Sequence, residues 1–156
     1  MSYRIFVADD HDIVREGVKS LLKSRPEWEI CGEACDGNEA YGGVLRTRPD
    51  AVVLDVSMPG KGGLDVTREL IASDPEIKIL LFTMHDSISL FQTAMNIGAR
   101  GVVLKSRAAR DLMHALQIVL QGGTFFNPGA SAEQREKRST NNNIFRVRID
   151  YALDMA

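Results

Sequence analysis

The sequence predicts an α/β fold: a doubly wound parallel sheet of five strands in the order 2-1-3-4-5, with helices on both faces. Three observations predict it. Short apolar runs rich in Val, Ile and Leu recur as YRIFVA, AVVL, IKILLF and GVVL, and continuous runs of this kind mark parallel strands buried on both faces. Between them the apolar residues recur at helical spacing. The connections are short, so each strand-helix-strand crossover is right-handed and the helices fall on both sides of the sheet.

Taken in order, the first strand covers 3–8. A helix over 11–24 follows, with Ile13, Val14, Val18, Leu21 and Leu22 on one face and Pro26 ending it. WEICGEAC, 28–35, reads as the second strand. The next helix, 37–48, carries Gly42 and Gly43 in its interior. Each costs about 1 kcal/mol relative to alanine, so this helix is expected to be the least stable. The third strand is 51–54, and the turn MPGKGG leads to a helix over 64–73. Strand 77–82, helix 87–97, strand 101–104 and helix 108–120 complete the alternation, the last helix turning Leu112, Leu116 and Val119 inward.

Composition narrows the functional classes. With 156 residues, 44% hydrophobic and 26% charged, the chain is long enough to bury a core of its own. Lys and Arg total 19 against 21 Asp and Glu, a net charge of −2. That excludes a global basic field for nucleic acid, and DNA binding would need a local patch. Cys31 and Cys35 are spaced C-x3-C, which fits neither a redox pair nor a zinc knuckle. They are expected to be reduced residues of a cytosolic protein. MSYRIFVADD enters a strand with no basic-then-apolar leader, and no apolar run approaches the about 18 residues of a membrane span. The expected location is the cytoplasm, with no membrane partner.

The strand ends carry the chemistry. Asp9 and Asp10 follow the first apolar run, Asp55 the third strand, Thr83 the fourth and Lys105 the fifth. In open α/β sheets the ligand site lies outside the carboxyl ends of the strands. Three carboxylates, a hydroxyl and an ammonium would therefore share one pocket, an arrangement for a divalent cation and a phosphoryl group. Singly, each has a plainer reading: Asp9 and Asp10 as helix caps, Asp55 as a turn former, Thr83 as a strand-end cap, Lys105 as a solvated charge. Their joint occurrence at four strand ends favours the pocket.

The segments FVADDHDIVREGVKSLL, VVLDVSMPGKGGLDV, LLFTMHD and GARGVVLKS, in that order, resemble the receiver domain of bacterial two-component response regulators. The likeness is to the NarL/FixJ subgroup, whose receiver precedes a LuxR-type helix-turn-helix, and it covers about 3–126. It implies a CheY-like, flavodoxin-like fold over 1–127, with Asp55 as phosphoacceptor, Asp9 and Asp10 as the metal-binding acidic pair, Thr83 as the switch hydroxyl and Lys105 as the phosphate-binding lysine. The residue types suit those roles. A carboxylate is a competent nucleophile toward phosphorus. Two further carboxylates beside it call for a hard cation with oxygen ligands, and Mg2+ is the natural one. It is expected to take Asp10 and Asp55 directly, Asp9 through water, and the backbone carbonyl of Ser57. Mg2+ and Lys105 would neutralise the transferring phosphoryl oxygens, with no general base required.

The histidines stand apart. His11 adjoins the acidic pair, but a hard-cation site does not favour imidazole, so it is expected on the surface in the first helical turn. His85 is placed near the pocket mouth, where it would affect water access. His114 is read as structural.

Two features depart from the family pattern. The residue three before the lysine is usually Tyr or Phe, and here it is Val102, so the usual rotating ring is missing. After Phe126-Asn127-Pro128-Gly129 the relatives would continue into a DNA-binding domain of about 60 residues. Here 128–156 reads as an atypical tail: AEQREKR, an asparagine run, and the alternating stretch IFRVRIDY, with no recognition helix.

The expectation is therefore a receiver that accepts a phosphoryl group from a histidine kinase and signals to an unknown output protein by contact. It would be no enzyme beyond self-catalysed phosphotransfer and dephosphorylation, and would bind no DNA directly, with a homodimer as one possible assembly. The alternatives are a receiver fragment of a LuxR-type transcriptional regulator lacking its DNA-binding domain, and a degenerate receiver serving only as an interaction module. A flavodoxin-like cofactor binder is disfavoured, because the anionic loop ADDHD repels phosphate.

Overall fold

The computed structural model describes residues 2–126. The elements alternate as β1 (Tyr3–Ala8), α1 (Asp12–Leu22), β2 (Trp28–Ala34), α2 (Gly37–Thr47), β3 (Ala51–Asp55), α3 (Gly63–Ser73), β4 (Ile79–Thr83), α4 (Ile88–Ile97), β5 (Gly101–Leu104), a 3-10 turn (Lys105–Arg107), α5 (Ala108–Leu120) and β6 (Phe125–Phe126). The sheet runs β2-β1-β3-β4-β5-β6, and every pairing is parallel.

The predicted order holds for the five long strands, and β6 adds a sixth that the sequence reading lacked. Phe125 and Phe126 pair with Gly101 and Val102, extending the β5 edge by two residues. Boundaries also move. β4 starts at Ile79 because Ile77 is still in a turn closed by its N–H donating to the Asp74 carbonyl, 3.1 Å. α1 ends at Leu22, before Pro26, in a tight turn where Ser24 and Arg25 donate back to Leu21 and Leu22.

Alternate residues of the strands feed two cores. Phe6, Val52, Leu54, Ile79, Leu81 and Val102 pack with α2, α3 and α4. Ile5, Val7, Val53, Leu80, Phe82 and Val103 pack with α1 and α5 through Val18, Leu22, Leu112, Leu116 and Val119. This two-sided burial is why the central strands read as unbroken apolar runs. β2, at the edge, is instead half-buried through its middle and exposes Glu29 and Glu33, which discourages pairing with another chain.

One sequence expectation is corrected here and another is qualified. Ile13, assigned to the inner face of α1, is 87% exposed; it lies in the first turn, where the helix has not yet met the sheet, and burial begins at Val14 and Val18. Gly43, read as a weakness of α2, is a fit: a Cβ there would stand 2.6 Å from the Phe6 ring, and one at Gly32 2.8 Å from the same ring. The large Phe6 side chain fills the space that both glycines leave, so part of the propensity lost in α2 returns as packing.

Candidate functional site

The carboxyl ends of β1, β3, β4 and β5 meet on one rim of the sheet, and the local sequence fixes each end. Asp9 follows Ala8, its N–H donating to the Ala34 carbonyl of β2 at 3.0 Å. Asp55 closes β3 and is 2% exposed. α3 begins directly against it: a Cβ at Gly63 would lie 2.2 Å from the Asp55 carbonyl oxygen, so only glycine admits that approach. Val56 N–H continues onto the Phe82 carbonyl at 3.1 Å, tying this loop to β4. Thr83 ends β4, 1% exposed, and Lys105 opens the 3-10 turn after β5.

Three of these side chains repeat one device. Asp9 Oδ1 accepts from the His11 N–H at 2.8 Å, Asp55 Oδ1 from the Ser57 N–H at 3.1 Å, and Thr83 Oγ1 from the His85 N–H at 3.0 Å. The plain readings of Asp55 as a turn former and of Thr83 as a strand-end cap thus hold as far as one atom of each goes, whereas Asp9 closes the same kind of turn instead of capping α1, whose N-cap is His11 with no side-chain cap bond. The second carboxylate oxygens remain for the pocket.

There the charges converge. The Lys105 ammonium lies 2.7 Å from Asp9 Oδ2 and 3.3 Å from Asp55 Oδ1, with the Phe82 ring beneath it at 5.6 Å from ring centre to Nζ. One ligand atom from each of Asp9, Asp10, His11 and Asp55 fits within a mutual 4.8 Å. Asp55 Oδ2 is buried with no hydrogen-bond partner, which costs free energy unless a proton or a cation meets it. Burial pushes the Asp55 carboxyl up to about 6; the Ser57 N–H opposes the shift, the Asp9 carboxylate adds to it, and the Lys105 ammonium opposes it. A buried oxygen without a partner, in a cluster of three carboxylates, fits a hard divalent cation of the Mg2+ type.

The structure therefore brings Asp9, Asp10, Asp55 and Lys105 together and sets Thr83 on the adjoining strand end. His11 departs in part from its expected place. Its ring is 65% exposed, yet Nδ1 lies 3.1 Å from Asp10 Oδ1 and 3.3 Å from Asp9 Oδ1, so it belongs to the rim of the acidic pair. His85 is exposed next to Met84, which is 74% exposed. His114 meets the Phe125 ring edge-on at 5.8 Å, fastening β6 to α5. Cys31 and Cys35 are both free thiols, Cys31 half-buried and Cys35 exposed just beyond β2. Sequence reasoning missed Arg15, whose guanidinium donates to the Asp9 carbonyl oxygen at 2.7 Å; a side chain that grips a backbone carbonyl leaves no motif to read. Val102, in place of the expected ring, is fully buried in the core beneath α4.

Comparison with known proteins agrees with this geometry. Residues 5–117 match the response regulator receiver domain. Over 125 residues the chain is 37% identical to the transcriptional regulatory protein DegU of Brevibacillus brevis, spanning 80% of this chain and 53% of that protein. Over 123 residues it is 41% identical to the oxygen regulatory protein NreC of Staphylococcus epidermidis, spanning 78% and 56%. The chain thus covers little more than half the length of these relatives. A LuxR-family two-component response regulator from Aurantimonas sp. SI85-9A1 superposes with a TM-score of 0.81 at 38% identity, over 88% of this chain and 99% of that one. A LuxR-family DNA-binding response regulator from Staphylococcus aureus gives 0.71 at 26% identity, over 76% and 98%. No helix among the described residues is long and apolar enough to cross a membrane. With an acidic cluster and a lysine at the strand ends of a 2-1-3-4-5 core, and a receiver match over most of its length, the chain belongs to the response regulator receiver family, among relatives of the LuxR kind.

Proposed function

We propose that this receiver takes a phosphoryl group from a phosphohistidine of a histidine kinase onto Asp55, in a Mg2+-dependent reaction, and signals by protein contact in the cytoplasm. One observation carries the reading. The Asp55 carboxylate is buried at a rigid strand end, with one oxygen engaged by Ser57 N–H and Lys105 and the other without a partner.

In that step an Asp55 oxygen attacks phosphorus, the P–O bond forms as the P–N bond breaks, and the electron pair returns to the imidazole. Asp9, Asp10 and Asp55, with the Ser57 carbonyl as a further oxygen, would hold Mg2+, which would supply charge neutralisation at the phosphoryl oxygens. Lys105 would swing from Asp9 and Asp55 to those same oxygens, and Thr83 would turn its hydroxyl from His85 N–H toward them. Nothing in the step requires a general base.

A second reading, that the chain is the receiver part of a longer LuxR-type transcriptional regulator, is favoured by the relatives' greater length and by names such as transcriptional regulatory protein. The two readings share the same chemistry at Asp55. The test is a calorimetric Mg2+ titration, with and without beryllofluoride. The chain should bind one Mg2+, and Asp10→Ala should abolish it. Lys105→Ala should bind Mg2+ at least as tightly, having lost a competing cation, yet fail to bind beryllofluoride. Full Mg2+ affinity in Asp10→Ala would overturn the assignment.

A further inference from the structure

We infer that Arg15 is a positioning residue for the acidic pair: by gripping the Asp9 carbonyl oxygen it orients the Asp9–Asp10 peptide, and so sets where the Asp10 carboxylate meets a divalent cation. The inference rests on the reading of the pocket as a Mg2+ site.

All three nitrogens of the guanidinium are engaged. Nη1 donates to Asp9 O at 2.7 Å, Nε to Glu33 Oε1 at 3.2 Å, and Nη2 to Asp12 Oδ1. The side chain is only 14% exposed. Both backbone groups of Asp9 are thereby anchored to the edge strand β2: its N–H directly to Ala34 O at 3.0 Å, its carbonyl through Arg15 to Glu33. Glu33 is itself held by Lys19 Nζ at 2.8 Å. The hydrogen bond from Lys19, and after it that from Arg15, keeps its carboxyl below the usual carboxylate range. The anchor is therefore a charged acceptor that stays ionised.

Asp10, 27% exposed, hangs on this fixed peptide, its Oδ1 lying 3.1 Å from the His11 ring and its carboxyl facing that of Asp55. A planar fork that reaches three acceptors at once is a property of arginine which lysine cannot reproduce.

Charge and position make opposite predictions. As a mere cation beside the pocket, Arg15 would repel Mg2+, and its removal would tighten binding. As the orienting group for a ligand-bearing peptide, its removal would weaken binding, and the loss of such an outer partner typically costs about tenfold or more in metal affinity.

The experiment is Mg2+ titration of the full chain, followed by calorimetry and by the Mg2+-induced rise in melting temperature. Arg15→Gln and Arg15→Lys are compared with Lys23→Gln, which removes an exposed cation at the end of α1 and touches none of Asp9, Glu33 and Arg15. Both Arg15 variants should bind Mg2+ about tenfold more weakly, while Lys23→Gln binds as the unsubstituted chain does. If Arg15→Gln fails to fold, Arg15→Lys, which keeps the charge, decides. A folded Arg15 variant with unchanged or tighter Mg2+ affinity overturns the inference. An unsubstituted chain that binds no Mg2+ overturns the pocket reading itself, and this inference with it.

Discussion

Asp55 is the residue on which the site's energetics turn. Its carboxyl is raised to about 6 by burial, whereas in the unfolded chain it titrates near 3.9. Below about pH 4 both states are protonated. Between the two values the folded state holds a proton that the unfolded state has released, so stability falls as pH rises through about 6. Metal-free protein should lose stability from pH 4 to 7, and Asp55→Asn should flatten that dependence and stabilise by about 1–2 kcal/mol at pH 7. Denaturant titrations at several pH values with a chelator check this; a variant less stable than the parent at pH 7 would show that the Asp55 carboxylate is stabilising as it stands. The residues involved were largely legible in the sequence, because Asp9, Asp55, Thr83 and Lys105 each interrupt an apolar run at its carboxyl end. His11 was legible as an exposed neighbour of the acidic pair, though not its 3.1 Å approach to Asp10 Oδ1. Arg15 was not legible, because a backbone carbonyl as acceptor has no sequence signature.

At the scale of the element, periodicity found every helix and every long strand, and failed where another force set the limits. β6 is two residues long, too short for a period, and is held by pairing with β5 and by the His114–Phe125 contact. Ile13 follows the apolar pattern of α1 but precedes the first turn that touches the sheet. The glycines show the same limit in opposite senses. Gly17 lies exposed within α1, and a Cβ there meets nothing within 4 Å. Gly17→Ala should therefore stabilise by about 0.5–1 kcal/mol, through helix propensity and a less flexible unfolded chain. Gly43→Ala, though equally a helical glycine, drives a methyl into the Phe6 ring and should destabilise by about 1–3 kcal/mol. Urea denaturation of the two variants tests the distinction; equal stabilisation by both would show that Phe6 yields at no cost and that α2 is limited by propensity alone.

For the whole molecule, the open question is how a change at Asp55 reaches an output surface without a ring at position 102. Val102 pairs with Leu81 and Phe126, is fully buried, and is β-branched with a stiff χ1. It has neither the volume nor the freedom to follow a movement of Thr83, were phosphorylation to cause one. The response should stay near the pocket, with strong amide shifts at 55–60 and 83–87 on beryllofluoride binding and weak ones along 108–120. Changes along α5 as large as those near Thr83 would mean that another ring transmits the signal: Phe82, which lies under the Lys105 ammonium, or Phe91. The tail expected over 128–156 lies outside the described residues, so the output reading rests on the receiver alone. All of this presupposes that Asp55 is the phosphoacceptor, and intact mass after incubation with a small phosphodonor tests that most directly. The account predicts one added phosphoryl group that requires Mg2+, is released by hydroxylamine as an acyl phosphate is, and is absent from Asp55→Asn. Full modification persisting in Asp55→Asn, or proceeding equally with the metal chelated, would contradict it.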